Sequence, residues 1–238
     1  MKYILTRIGL LSIAMMLFLA PLAAQSTLET LSFGKRAKLA KAGDIEAQLS
    51  IAANYETGID NISKNLFKAA NWYRKAASQG DARAQFKLAR ILHNGGKRVK
   101  KSPQLAVPLY EKAANQGNAE AQYWLAYTYQ HGEGHQVSAE KAITWYEKAA
   151  ASNHAQAQNN LGLLYLDGKH VNRDLPKAFA MFTKAAGNGD PWAINNLAGL
   201  YEMGWGTKIN REKAIELYKR AAQMGNTHAE KNLARLSS

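Results

Sequence analysis

Residues 108–122 read PLYEKAANQGNAEAQ. The same frame returns as NWYRKAASQGDARAQ at 71–85, TWYEKAAASNHAQAQ at 144–158, AMFTKAAGNGDPWAI at 180–194 and ELYKRAAQMGNTHAE at 216–230. The five segments align without a gap. Ala69, Ala106, Ala142, Ala178 and Ala214 share one column, and Ala84, Ala121, Ala157, Ala193 and Ala229 share another, always 15 residues further on. The period is 37 residues from Ala69 to Ala106 and 36 at each later step, so the length change is confined to one loop. Self-similarity at this spacing marks a chain built from stacked supersecondary units.

Each unit holds two helices. The first, helix A, is alanine-rich, as in AEAQYWLAYTYQ (119–130) or AQAQNNLGLLYL (155–166), with apolar residues at helical spacing. It runs into a loop at Gly58, Gly95, Gly132, Gly168 or Gly204, where the turn after a helix end favours glycine. Helix B starts beside Ser102, Ser138, Asp174 or Asn210, whose side-chain oxygens suit an N-cap, and Pro103 fits a first helical position. It ends at Gly80, Gly117, Asn153, Gly189 or Gly225, and Asp81, Asn118, Asp190 and Asn226 cap the next helix A at once. Pro108 lies inside helix B of the second copy and predicts a kink there. One such helix pair cannot bury its apolar stripe; stacked copies bury it between neighbours.

The first residues, MKYILTRIGLLSIAMMLFLAPLAAQS, set Lys2 and Arg7 ahead of an apolar run from Ile8 to Ala20, then Pro21, Ala23 and Ala24. That layout predicts a secretory signal peptide over 1–24, cleaved between Ala24 and Gln25. The apolar run is shorter than the ~20 residues of a membrane span. The expected location is periplasmic or secreted, with no stable membrane insertion after cleavage. The chain has no cysteine, which excludes disulfides, thiolate metal sites, a cysteine nucleophile and lipid attachment at cysteine. The formal net charge is +13, with most of the cationic excess before residue 118. Such an excess governs solubility and steering before it governs specificity.

Chemistry-bearing motifs are scarce. HGEGH at 131–135 places two histidines around a glutamate, but zinc-protease helices carry H-E-x-x-H, and glycine in a helix interior costs about 1 kcal/mol. The segment shares its column with TGIDN, NGGKR, DGKHV and MGWGT, so it is the loop between helices A and B of the third copy: a turn and not a metal site. Ser32-Phe33-Gly34-Lys35 matches the S-x-x-K of penicillin-recognising enzymes without the S-D-N or K-T-G that accompany it. No G-x-S-x-G elbow or phosphate-binding G-x-x-x-x-G-K-[ST] occurs. The reading is a non-enzyme with no catalytic residues, no cofactor and no metal. GGKRVKK, 95–101, is the one cation-rich copy of its loop. With an export leader and no nucleic-acid motif, it predicts an anionic envelope polymer or acidic protein rather than nucleic acid.

The columns read A-x-A-Q-x-x-L-[AG]-x-x-Y-x-x-G, a variable loop, then K-A-x-x-[WLM]-[YF]-x-[KR]-A-A-x-x-G. AQNNLGLLYLDG (157–168) and KAITWYEKAA (141–150) follow it almost throughout. The pattern resembles the Sel-one-like repeat family, relatives of tetratricopeptide repeats with a longer loop inside the repeat. The resemblance covers 44–225 as five repeats (44–80, 81–117, 118–153, 154–189, 190–225). Residues 25–43 are then a leading half-repeat, and 226–238 a trailing helix whose Lys231 and Arg235 suit a solubilising cap. It implies an all-α fold, a right-handed α/α superhelix (solenoid) of about five helix-turn-helix repeats of 36–37 residues. It also implies a non-catalytic scaffold or adaptor for protein partners; exported bacterial members are implicated in envelope assembly, signalling complexes and host interaction. Some cysteine-rich relatives have been linked to β-lactam binding and rely on disulfides this chain lacks, which leaves a β-lactam-processing enzyme as a lesser alternative.

If the superhelix follows its tetratricopeptide relatives, helix A lines the concave face. Arg83, Phe86, Arg90, Glu120, Tyr123, Tyr127, Gln156, Asn159, Leu163, Trp192 and Asn195 are then expected along a partner-binding groove, since aromatics and arginine often anchor interfaces. Lys97, Arg98, Lys100 and Lys101 are expected to draw in an acidic protein or an anionic polymer such as peptidoglycan, lipopolysaccharide or polysaccharide. Phe86, Tyr123 and Trp192 carry a second reading as packing between repeats, because aromatics dominate cores too.

Overall fold

The computed structural model describes residues 28, 30–59, 61–169 and 171–237. The expected leader, with its Ala24–Gln25 cleavage point, lies outside the described residues. Those residues form twelve α-helices and no strand: α1 (Phe33–Lys41), α2 (Ile45–Thr57), α3 (Leu66–Ser78), α4 (Ala82–Asn94), α5 (Pro103–Asn115), α6 (Ala119–His131), α7 (Ala139–Ala151), α8 (Ala155–Asp167), α9 (Leu175–Gly187), α10 (Pro191–Met203), α11 (Arg211–Gln223) and α12 (Thr227–Ser237). None is long and apolar enough to cross a membrane. The chain divides into two compact units, one ending at Lys101 with α1–α4, the other beginning at Ser102 with α5–α12. Each is a run of helix-turn-helix repeats in which consecutive helices pack on one another.

The tight joints follow from the sequence. After α5, Gly117 takes φ +85°, its N–H donates to the Ala114 carbonyl, and the Asn118 N–H reaches back to Ala113. This is the Schellman pattern, which satisfies the last carbonyls of a helix. Asn118 then turns its side chain onto the Ala121 N–H (2.9 Å) and starts α6. Asp44, Asp81 and Asp190 cap α2, α4 and α10 in the same way. In the fourth copy the cap is His154, whose Nδ1 accepts from Ala157 at 3.3 Å, and Asn153 takes the positive φ that glycine holds elsewhere. Pro108 is exposed inside α5, which runs unbroken through it.

The glutamine of the A-x-A-Q motif has a defined task. Gln48, Gln85, Gln122 and Gln158 are buried. They donate to the carbonyls of Ala40, Ala77, Ala114 and Ala150, one column at the end of the preceding helix. Each of these carbonyls also accepts from a backbone N–H at the joint, so the glutamine supplies a second hydrogen bond, which contributes about 0.5–1.5 kcal/mol. The fifth copy has Ile194 instead of glutamine, and there Arg220 donates to Ala186, the next carbonyl of the same column (3.3 Å).

Both alanine columns are fully buried, from Ala69 to Ala214 and from Ala84 to Ala229. They let helices approach closely, and a larger side chain there would cost about 1–3 kcal/mol in overpacking. Tyr73, Tyr146, Phe182 and Tyr218 of helix B fill the remaining space. The hydroxyls of these three tyrosines find helix-A partners: Tyr73 to Glu56 (2.7 Å), Tyr146 to Gln130 (2.8 Å) and Tyr218 to Glu202 (2.9 Å). Where the tyrosine becomes Phe182, the corresponding residue becomes Leu166, and both belong to one apolar cluster. Core and helix-A face are thus fixed by the same columns.

Candidate functional site

In the unit ending at Lys101, the expected groove cations are already neutralised. Arg83 binds Glu46 (2.5 Å), which occupies its own column one copy earlier, and Asp81 (2.8 Å). Arg90 pairs with Glu56, which also accepts from Tyr73 and lies 3.9 Å from Lys87. Burial opposes ionising Glu56, yet the Tyr73 hydrogen bond and the Lys87 and Arg90 charges prevail and hold its carboxyl below the ordinary range. Burial and the same carboxylate push the Tyr73 phenol up. A carboxylate held by two hydrogen-bond donors, with a third group, the Lys87 ammonium, nearby, is a structural clamp. Phe86, expected in the groove, is only 7% exposed, with the Arg90 guanidinium 5.9 Å from its ring centre. Its neighbours Gln85, Leu88 and Ala89 are buried too, so it lies on the packing stripe of α4 and not on an open face.

The basic loop follows α4. Gly96 and Val99 exchange both backbone hydrogen bonds (2.8 and 2.9 Å), which closes a tight turn with Lys97 and Arg98 at its tip. Arg98 sits at φ +65°. Lys97, Arg98, Lys100 and Lys101 are all exposed. Lys97 and Arg98 join Lys64, Asn65 and Leu66 around a cavity of about 540 Å³ whose described lining contains no carboxylate.

In the unit beginning at Ser102, the helix-A face is aromatic at one end and amidic at the other. Tyr123 stacks on His154 (4.7 Å, 16°) and meets Trp124 edge-on (5.7 Å). Burial pushes its phenol up. Tyr127 meets Trp124 at 5.5 Å and His131 at 4.2 Å. Glu120, on the same face, lies 3.4 Å from the His154 Nε2. Further along, Asn196 donates to Asn159 (2.9 Å) and Asn232 to Asn195 (3.1 Å), one repeat apart in each case. Asn160 donates to Tyr146 (3.0 Å). Asn159, expected to line a groove, is buried as the acceptor of this ladder; a carboxamide one column away uses its valence. Gln156 is exposed, Leu163 is 40% exposed, and Trp192 is 51% exposed with His228 at 5.2 Å.

The two histidines of HGEGH are engaged by protein. His135 places Nε2 3.1 Å from the Thr128 hydroxyl and Nδ1 3.0 Å from the Gln136 carbonyl, with its ring stacked on Tyr129. His131 ends α6 against Tyr127. Among the described residues no group of three or more histidines, aspartates or glutamates is placed to hold a metal ion.

One further feature joins column residues to loop residues. A cavity of about 580 Å³ is lined by Gln130, Leu163, Leu164, Leu166, Asp167, Lys169, Arg173 and Trp205. Of these, sequence reasoning singled out Leu163 alone. Arg173 and Trp205 sit in the loops after α8 and α10, where repeat alignment assigns no role.

Comparison with known proteins sets this geometry in context. A family model described as the Sel1 repeat matches residues 45–81, 82–118, 119–154, 155–190 and 193–226. No curated protein matches the chain. Among solved structures, a protective antigen present in uropathogenic Escherichia coli strains, described as displaying an SLR fold, superposes with a TM-score of 0.81 at 30% identity over 87% of this chain. A Sel1 repeat protein from Oxalobacter formigenes gives 0.76 at 32% identity over 86%. The chain spans about half the length of these two, 44% of the first and 58% of the second.

Proposed function

The chain belongs to the Sel1 repeat family, and from that premise we propose that it is a non-catalytic scaffold holding a protein partner on the helix-A face of residues 102–238. Sel1 repeat proteins are typically scaffolds for protein–protein interaction and generally non-catalytic. The observation that carries the reading is Trp192. It is half exposed on a face whose adjoining column, Ala193, is fully buried. Partly open aromatics of this kind anchor interfaces. Tyr127, Leu163 and Gln156 extend the same face, and Glu120, Tyr123 and Asn195 border it. We further read the leader as export, with a role in envelope assembly, signalling or host interaction. Likeness to a protective antigen supports the host-facing version.

Photo-crosslinking tests the assignment. A photoreactive phenylalanine analogue at position 192 or 127 should capture a discrete partner from the native envelope. The same analogue at Ile209, which is exposed in the loop before α11, should not. Equal capture from all three positions removes the helix-A face from the reading.

A second reading rests on the cavity at Lys64, Lys97 and Arg98. Three cations without a lining carboxylate suit an anionic envelope polymer such as lipopolysaccharide, peptidoglycan or an acidic polysaccharide. Co-sedimentation with lipopolysaccharide and with peptidoglycan, lost on replacing Lys97, Arg98, Lys100 and Lys101 with glutamine, is the expected result.

A further inference from the structure

We propose that the cavity between Leu163, Leu166, Trp205 and Arg173 receives the C-terminal residue of a partner polypeptide, its apolar side chain on the leucines and its carboxylate on Arg173. The inference rests on the protein-scaffold reading above and names the class of partner segment.

The cavity, about 580 Å³, falls within the ~300–1,000 Å³ of typical ligand pockets. Its floor is apolar: Leu164 is buried, while Leu163 and Trp205 are each 40% exposed. Its rim carries Arg173, which is held twice. The Nε–H donates to the Leu166 carbonyl at the end of α8 (3.1 Å), and the guanidinium lies over the Trp205 ring at 5.0 Å. Together they hold the side chain, while its terminal amino groups have no hydrogen-bond partner among the described residues. An arginine ordered in advance loses less freedom on meeting a ligand. No carboxylate among the described residues pairs with Arg173, whereas Arg83, Arg90 and Arg235 are all ion-paired. Asp167 also lines the cavity, but its carboxylate is 3.5 Å from Lys169, which leaves Arg173 as the unmatched charge.

Ligand chemistry follows from that combination. A planar guanidinium edge matches a carboxylate with two parallel hydrogen bonds. An internal peptide segment brings an apolar side chain but no charge on its backbone. An aspartate or glutamate brings the charge with little to cover the leucines. A chain terminus ending in Leu, Ile, Val or Phe carries both on one Cα.

The test uses the purified chain and labelled hexapeptides ending in Leu, Ile, Val or Phe, each as free acid and as amide, followed by fluorescence anisotropy. At least one free acid should bind saturably, and its amide at least tenfold more weakly. Arg173→Gln should bring the acid down to the level of the amide and leave the amide unchanged. Trp205→Ala should weaken both. Circular dichroism melts confirm that each variant folds. No binding by any acid, equal binding of acid and amide, or an unaffected Arg173→Gln variant overturns the proposal. So does octanoate competing as well as the peptide, which would make the site one for free apolar acids. Should position 192 still capture a partner while every peptide fails, the scaffold reading stands and this inference falls.

Discussion

Replacing Gln158 with isoleucine isolates the task of the motif glutamine. Gln158 is 1% exposed; its amide donates to the Ala150 carbonyl (3.0 Å) and its oxygen accepts from Asn188 (2.9 Å). Isoleucine fills similar space, as Ile194 does in the next copy, but leaves the Ala150 carbonyl with the Asn153 N–H as its remaining donor (3.1 Å). Losing one such hydrogen bond costs about 0.5–1.5 kcal/mol. In a domain of ~150–250 residues each kcal/mol moves the melting temperature by about 2–4 °C, so thermal denaturation should show a loss of roughly 1–6 °C. The fifth copy supplies the compensation. Arg220 donates to Ala186 where Ile194 cannot, and Lys184 stands 36 residues before Arg220, in register with Ala150. Lys184→Arg alone should change the melt by less than about 0.5 kcal/mol, as exposed substitutions do. Combined with Gln158→Ile it should recover half or more of the loss. A double variant as unstable as Gln158→Ile, or Gln158→Ile alone melting with the parent, refutes the carbonyl argument.

Phe86 and Trp192 share helix-A faces but differ in burial, so Phe86→Ala should cost about 3–5 kcal/mol in thermal or urea unfolding. Trp192→Ala should cost under about 1 kcal/mol while abolishing capture of the partner. Glu56 titrates below its ordinary value of 4.5. A depressed carboxylate contributes stability that is present above the unfolded value and lost as pH falls through the folded one. The parent should therefore lose melting temperature below about pH 4.5 more steeply than Glu56→Gln, and parallel curves would remove the clamp from the account. With Lys97, Arg98, Lys100 and Lys101 replaced by glutamine, association with an anionic polymer should slow several-fold at low salt. The difference should close near 0.5 M, where the Debye length has shrunk to a few ångströms, in surface plasmon resonance at two ionic strengths.

The architecture was legible because repetition averages out local ambiguity. Five aligned copies made Gly117 and Asn118 a joint before any coordinate was known, and the column of HGEGH identified a turn that looks like a metal motif in isolation. Side-chain partners were legible only in part, because they reach between columns. Arg83 seemed available to a ligand, although Glu46, one copy earlier in the same column, was already opposite it. Phe86 and Trp192 both sit on apolar-rich helix-A segments, and helical periodicity alone does not say which flank the neighbouring copy covers.

The offsets themselves supply the missing rule. In four of the five copies the helix-B aromatic meets the helix-A residue 16 or 17 positions earlier: Tyr73 with Glu56, Tyr146 with Gln130, Tyr218 with Glu202, and Phe182 in the apolar cluster with Leu166. A polar partner accompanies each hydroxyl, and an apolar one accompanies the phenyl ring, since an unpaired buried hydroxyl or carboxylate would cost more than the contact returns. The glutamine and its carbonyl obey the same logic at an offset of eight, and Arg220 stands in where the glutamine is lost. Column pairing of this kind accounts for the four buried motif glutamines and for the helix-A partners of four helix-B aromatics. What it leaves over includes Trp192 and Leu163 on the face, and Arg173 and Trp205 in loops whose length and sequence differ from copy to copy. Residues that the repeat does not use for its own stacking are the ones free to recognise something else, and a single copy of the sequence could not have separated them from the rest.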